Sequence, residues 1–296
     1  TLPTHPTAAS RAGAIRHYGI RGGRLGYLKT NKVKAYKYQG AGNDFVIFDN
    51  RQGNINLDDS QIRLLCDRRY GIGADGLMLL NAPKSADRDF EMKFYNSDGF
   101  EGDMCGNGAR CLVAFAYHRG LPSFRFDARD GYHEGFVLEG SSKRCIIRVK
   151  IKDVKTIYKY SDNMYYADTG VDHVVQFRDD LDTMDIEKDG PYWRYHKDFP
   201  NGTNVNFIQE KEDGLHVRTW ERGVEAETYA CGTGCTASAI SAYKEGLKCC
   251  TISEDGTIKY TVKTLKDTLA IDFKEDLTNV YLTGPATFVF ETDFEF

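Results

Sequence analysis

From Val33 onward the chain repeats apolar side chains at intervals of two far more often than at helical spacing. "VKAYKY", "DFVIFDN", "FEMKFYN", "CIIRVKI", "DHVVQF", "VNFIQ", "LHVRTWE", "LAIDF" and "TFVFETDF" each predict a strand. In Phe90–Met92–Phe94 and Leu215–Val217–Thr219 the alternation marks one buried face. Helical pattern is sparse. "DDSQIRLLCDRRY" opens on a capping residue and gathers Ile62, Leu65 and Cys66 on one side. Two further helices are predicted where "MCGNGARC" (Met104–Cys111) and "ACGTGCTA" (Ala230–Ala237) each set a cysteine directly before Gly-x-Gly and run on through small and apolar residues.

These two segments match beyond the turn itself. Each ends fifteen residues past its cysteine, at Gly120 and Gly246, glycines suited to the left-handed position after a helix. The predicted buried stripes are Ala109, Leu112, Val113 and Ala116 in one, and Ala239, Ala242, Tyr243 and Gly246 in the other. Upstream of each lies a β run with a polar turn, "YNSDG" or "WERG". The copies stand 126 residues apart, a domain-sized spacing rather than a solenoid repeat. An α+β fold of two pseudo-symmetric halves follows, residues 33–150 carrying Cys105 and residues 151–280 carrying Cys231.

Composition narrows the function classes. A chain of 296 residues, 41% hydrophobic, can build a substantial core. A net charge of −4 gives no ground for a nucleic-acid partner, and no apolar run approaches the roughly 20 residues of a membrane span. A soluble, cytoplasmic protein is expected. The eight cysteines come with no CxxC pair and no signal-peptide core, which predicts free thiols rather than a disulfide scaffold. Cys105/Cys111 and Cys231/Cys235 lack structural-zinc spacing, so no metal is expected. No acidic residue precedes Asp44, while Arg11, Arg16, Arg21, Arg24 and Lys29 are basic; residues 1–32 read as a leader, tag or presequence outside the fold.

A cysteine at a helix start has defined chemistry. Unsatisfied N–H groups and about half a positive charge gather there, which lowers a thiol pKa from about 8.5 and makes a nest for a carboxylate. If the halves face each other, one thiolate can take a proton from one side of a carbon while the opposite thiol supplies one to the other side. That is the least machinery able to invert a stereocentre without a cofactor. A hydrolase would need one nucleophile, a separate base and an oxyanion hole, and so explains the duplication less well.

At these residues the sequence resembles the diaminopimelate epimerases, through "GAGNDFVIFDN", "CDRRYGIGADGLMLL", "FYNSDGFEGDMCGNGARC", "GTNVNF" and "ERGVEAETYACGTG" in that order. The resemblance implies two halves, each a barrel-like, mostly antiparallel sheet around a central helix, with residues 281–296 a terminal strand returning to the first half. It implies cofactor-independent interconversion of LL- and meso-diaminopimelate, in lysine and peptidoglycan-precursor synthesis, by a homodimer with a small amino acid as its substrate. Cys105 and Cys231 match the catalytic pair. Asn43, Asn96, Asn204, Glu221 and Arg222 match substrate-binding positions, and Gly106, Asn107, Gly232 and Thr233 match the nests. His173 matches a histidine that assists thiol polarisation, with Glu221 as its counterpart. Asn carbonyls and Glu221 suit the substrate's ammonium groups, while Asn amides and the Arg222 fork suit its carboxylates.

Two departures stand out. Where the family has Asn-Pro-His, this chain has Val171-Asp172-His173, which removes an expected amide contact. "ERGVEAETYAC" is one residue longer than the family form, which predicts a bulge before Cys231. Another two-cysteine racemase of the same fold, acting on proline, hydroxyproline or histidine, therefore stays open. So does a non-enzymatic thiol redox or binding protein.

Overall fold

A computed structural model describes residues 32–295. The expected leader lies outside these residues except for Lys32, which opens the first strand. β1 (Lys32–Gly40) and β2 (Asn43–Asn50) form a hairpin, and α1 (Asp59–Cys66) crosses to β3 (Gly76–Asn81), parallel to β2. β4 (Phe90–Asn96) returns antiparallel, and α2 (Gly106–His118) crosses to β5 (Arg125–Ala128), parallel to β4. β6 (Gly131–Glu139) and β7 (Arg144–Lys150) follow antiparallel.

The next segment repeats the scheme. β8 (Thr156–Ser161), β9 (Met164–Asp168) and β10 (Asp172–Phe177) are antiparallel neighbours, and α3 (Ile186–Arg194) crosses to β11 (Asn204–Lys211), parallel to β10. β12 (Gly214–Glu221) returns, flanked by the short β13 (Ala226–Thr228). α4 (Gly232–Glu245) and β14 (Cys250–Ile252) lead to β15 (Ile258–Lys263), parallel to β12, and β16 (Thr268–Phe273) pairs antiparallel with β15. From β1 to β7 and from β9 to β17 (Tyr281–Glu295) the pairings run in one order: antiparallel, parallel, antiparallel, parallel, antiparallel, antiparallel.

β17 joins the two sheets. Its first residues, Tyr281–Thr283, lie between β16 and β7, and its later residues pair with β1, which closes β1–β7 and β17 into a ring of eight strands. The parallel strands beside α1 and α3 are buried on both faces. Phe45, Ile47, Met78 and Leu80 face inward, while Val46, Phe48, Leu77 and Leu79 pack outward with Ile62 and Leu65 of α1. This is why "DFVIF" and "GLMLL" read as unbroken apolar runs. In the second half, Val174, Val205 and Phe207 pack outward with Ile186 of α3.

Capping agrees with sequence for α1, where Asp58 and Gln61 form a reciprocal box. The sequence reading missed α3, because Gly190 and Pro191 interrupt its pattern; a Cβ at Gly190 would lie 2.6 Å from the Trp220 ring. The stripes expected on α2 and α4 are also corrected. α2 is buried without interruption from Gly106 to Ala116, and α4 is buried nearly all round, while Tyr243 is only half-buried and Gly246 is exposed. Both helices are enclosed by their sheets rather than laid on them. No described helix is long and apolar enough to cross a membrane.

Arg148 of β7 spans β17 to reach Asp272 of β16, with Nε 2.9 Å from Oδ2 and the guanidinium 3.6 Å above the Tyr281 ring. Asp272 is buried. Replacing Arg148 by Met should leave that carboxylate unpaired and lower stability by about 3 kcal/mol, read as a drop in the urea midpoint at unchanged slope.

Candidate active site

Cys105 and Cys231 are the N-cap residues of the two enclosed helices, with nearly the same backbone (φ −93°, ψ 121° and φ −99°, ψ 114°). Neither side chain caps its helix, so first-turn N–H groups are left for another acceptor. The helix starts abut. A Cβ on Gly232 would come within 3.9 Å of the Gly106 Cα, and one on either glycine would strike Leu282, at 2.7 Å from Gly106 and 2.9 Å from Gly232. Across the junction the Asn107 side-chain amide donates to the carbonyl of Ala230, next to Cys231, at 2.9 Å. Both thiols are free.

Around this pair the structure gathers most of the residues singled out from sequence. The Cys105 thiol lies 3.7 Å from Asn43 Oδ1, and the Asn43 amide donates to Asp75 at 2.8 Å. Cys231 Sγ lies 3.4 Å from the Thr233 hydroxyl. Asn204 ties loops together: its amide donates to the Asp172 carbonyl at 3.1 Å, and its Oδ1 accepts from the Arg222 backbone N–H at 2.9 Å. The Arg222 guanidinium donates to the Gly202 carbonyl at 3.1 Å and stands 3.8 Å from the Asp172 carboxylate. Asn96 is exposed at the end of β4, its amide against Gly102. Asn107 is nearly inaccessible, its side chain held by Ala230 and Arg110, so only its backbone N–H remains for a nest.

Sequence reasoning passed over Asp75 and Asn206. Asp75 orients Asn43 and pairs with Arg68, and its signal was the single acid in "GIGADG". Asn206 donates to the Val174 carbonyl at 3.1 Å, which fixes the direction of its amide, and its second N–H meets His173 Nδ1 at 3.0 Å. The imidazole proton therefore sits on Nε2, which is buried without a hydrogen-bond partner. Burial, seconded by Arg222, depresses the His173 pKa to about 3. His173 is a neutral N–H donor here and makes no bond to either thiol.

The thiols depart from expectation. Backbone N–H groups of Gly108 and Asn107 do favour a Cys105 thiolate, yet burial outweighs them and raises the pKa. Burial raises Cys231 further, and the Glu221 carboxylate raises both. Glu221 is itself raised by burial, with the Thr228 hydroxyl opposing. Both thiols thus rest protonated. Beside them Gly42 of the first half packs on Tyr229 of the second, a Cβ there falling 2.8 Å from Tyr229. A cavity of about 60 Å³ remains beside the helix starts, lined by Met104, Gly106, Val171, Gly232 and Thr233. Val171 thus faces this cavity, while Asp172 pairs with Arg222. The strands before Cys231 show no bulge: β12 and β13 keep regular register, and the turn between them holds Glu225 left-handed (φ 56°).

Two buried helices meeting at cysteine-led N-termini, inside paired sheets, define a duplicated α+β fold. Solved structures of that fold include a phenazine biosynthesis protein of the PhzF family from Bacillus anthracis (TM-score 0.68, 16% identity, covering 89% of this chain and 99% of that one). Another is a hydroxyproline epimerase from Agrobacterium vitis (TM-score 0.61, 12% identity, covering 90% and 93%). The diaminopimelate epimerase family model matches residues 35–135 and 165–289. Diaminopimelate epimerases of Flavobacterium psychrophilum (41% identity, covering 88% of this chain and 99% of that protein) and Chlorobaculum tepidum (40%, covering 85% and 97%) are relatives. The chain belongs to the diaminopimelate epimerase family.

His173 should keep the Nε2–H tautomer from pH 8 to pH 5 in ¹⁵N NMR spectra. Its depressed pKa adds stability that is fully present above about 6.5 and is lost as pH falls toward about 3, which acid titration of the urea midpoint will read.

Proposed function

We propose that this protein epimerises LL-2,6-diaminopimelate to the meso isomer with Cys105 and Cys231 as the two acid–base groups and no cofactor. The observation that carries this is the end-to-end meeting of two helices that each begin after a cysteine, bridged from Asn107 to Ala230. The substrate's reacting carboxylate would accept from the free N–H groups of both first turns, where Gly106, Asn107, Gly232 and Thr233 stand. Its α-ammonium, arriving near Glu221, would offset the negative charge that adds to burial in keeping both thiols protonated. One thiol loses its proton to solvent before the halves close, and the thiolate so formed removes the α-proton to become a thiol again, which leaves charge delocalised onto the carboxylate under two helix ends. The opposite thiol returns a proton to the other face. Asn43, Asn96, Asn204 and Arg222 would hold the distal amino acid head, with His173 as a fixed N–H donor. A cytoplasmic homodimer is part of the proposal, supported by the family resemblance alone.

The helix starts abut and Gly42 of one half packs on Tyr229 of the other, and we infer that the halves part to load substrate. Small-angle scattering of the free protein should show a larger radius of gyration than with a substrate analogue, and identical profiles would count against such gating.

Replacing Cys105 or Cys231 by Ala should each lower kcat about 10³-fold, measured as formation of the meso isomer from LL-diaminopimelate under reductant. A parallel panel of proline, hydroxyproline and histidine tests specificity. Inversion of one of these but not of diaminopimelate would overturn the substrate, and undiminished turnover by Cys105→Ser would overturn the two-thiol chemistry.

A further inference from the structure

Arg110 is the largest fully buried side chain among the described residues. It lies one turn inside α2 from Cys105, and its guanidinium meets only neutral acceptors: Asn107 Oδ1 at 2.9 Å, the Pro285 carbonyl at 3.3 Å and the Gly106 carbonyl at 3.4 Å. No carboxylate of the described residues forms an ion pair with it. Gly40 and Gly284 make room for it, since a Cβ on either would approach the guanidinium to 3.4 or 3.2 Å. A guanidinium keeps its proton even when buried, and a buried cation without a counter-ion is costly. Here it stands under two helix ends that are already positive.

We propose that Arg110 is an electrostatic positioning residue for the reaction, a fixed cation whose counter-charge is the anion formed between the two cysteines. Loss of the α-proton turns a bound carboxylate into an enediolate with one more negative charge, shared over the same two oxygens. A fixed positive charge stabilises that state more than the substrate and so acts on kcat rather than KM. It also favours a thiolate at Cys105, where its charge opposes the effect of burial. Asn107 couples this charge to the second half, because one amide accepts from Arg110 and donates to the Ala230 carbonyl.

The inference rests on the two-thiol reading, and its test has one arm that needs no substrate. That arm is the pH dependence of iodoacetamide alkylation at Cys105, followed by peptide mass spectrometry. Arg110→Met should move the alkylation midpoint to higher pH and lower kcat for diaminopimelate about 10²-fold with KM within about threefold; Arg110→Lys should recover most of both. Should Arg110→Met fail to fold, Asn107→Asp and Asn107→Leu replace it. Both break the bridge to Ala230, but only Asp neutralises the cation, so its midpoint should lie above that of Leu. Equal midpoints in Arg110→Met and wild type, or in the two Asn107 variants, would overturn the inference. Wild-type protein that leaves diaminopimelate unchanged while the midpoints move would sink the substrate and leave the charge effect standing.

Discussion

Two helices held tip to tip at their N-termini set the terms for the rest of the molecule. Each tip carries about half a positive charge and a set of N–H groups with no partner in the helix. Left alone, such ends repel. They are held together because each helix is enclosed by its own sheet, because β17 belongs to both sheets, and because Asn107 reaches across to Ala230. The small residues at the junction follow from the same demand, since Leu282 leaves no room for a Cβ at Gly106 or Gly232.

Enclosure also explains the placing of the helices. α1 and α3 cover outer faces of parallel strand pairs, while α2 and α4 fill interiors. Each helix bridges a parallel pair, the connection such pairs require. The duplicated order of pairings thus repeats the fold and, with it, the position of a cysteine at the mouth of each interior helix.

Nine of the seventeen strands among the described residues, both cysteine turns and α1 were legible because each rests on local signals: alternation, Gly-x-Gly after Cys, a capping box. What failed to show was set by contact across the fold. α3 hides behind Gly190 and Pro191, and Gly190 is explained only by Trp220, thirty residues on. The helix stripes were misread because a helix inside a ring of strands has no solvent face. Family resemblance marked Asn43, Asn204 and Arg222, but not that Asn204 spends both side-chain atoms on backbone groups or that Asp172 pairs with Arg222. Asn206 went unnoticed because an inward strand asparagine carries no local pattern. The direction of the thiol shifts was lost for a similar reason. Helix-end charge is visible in a motif, whereas burial and the approach of Glu221 are not.

That last correction bears on how a reversible epimerase would work. Had each helix end simply lowered its own thiol pKa, both sulfurs would ionise together, and neither could donate a proton. Burial and Glu221 instead keep both protonated at rest, while N–H groups at each helix start remain able to favour one thiolate. Which sulfur ionises then depends on where the bound isomer places its α-hydrogen and ammonium, not on a fixed difference between the halves. A duplicated site with one shared carboxylate suits that requirement, because the same charge raises both thiols and the same incoming cation relieves both.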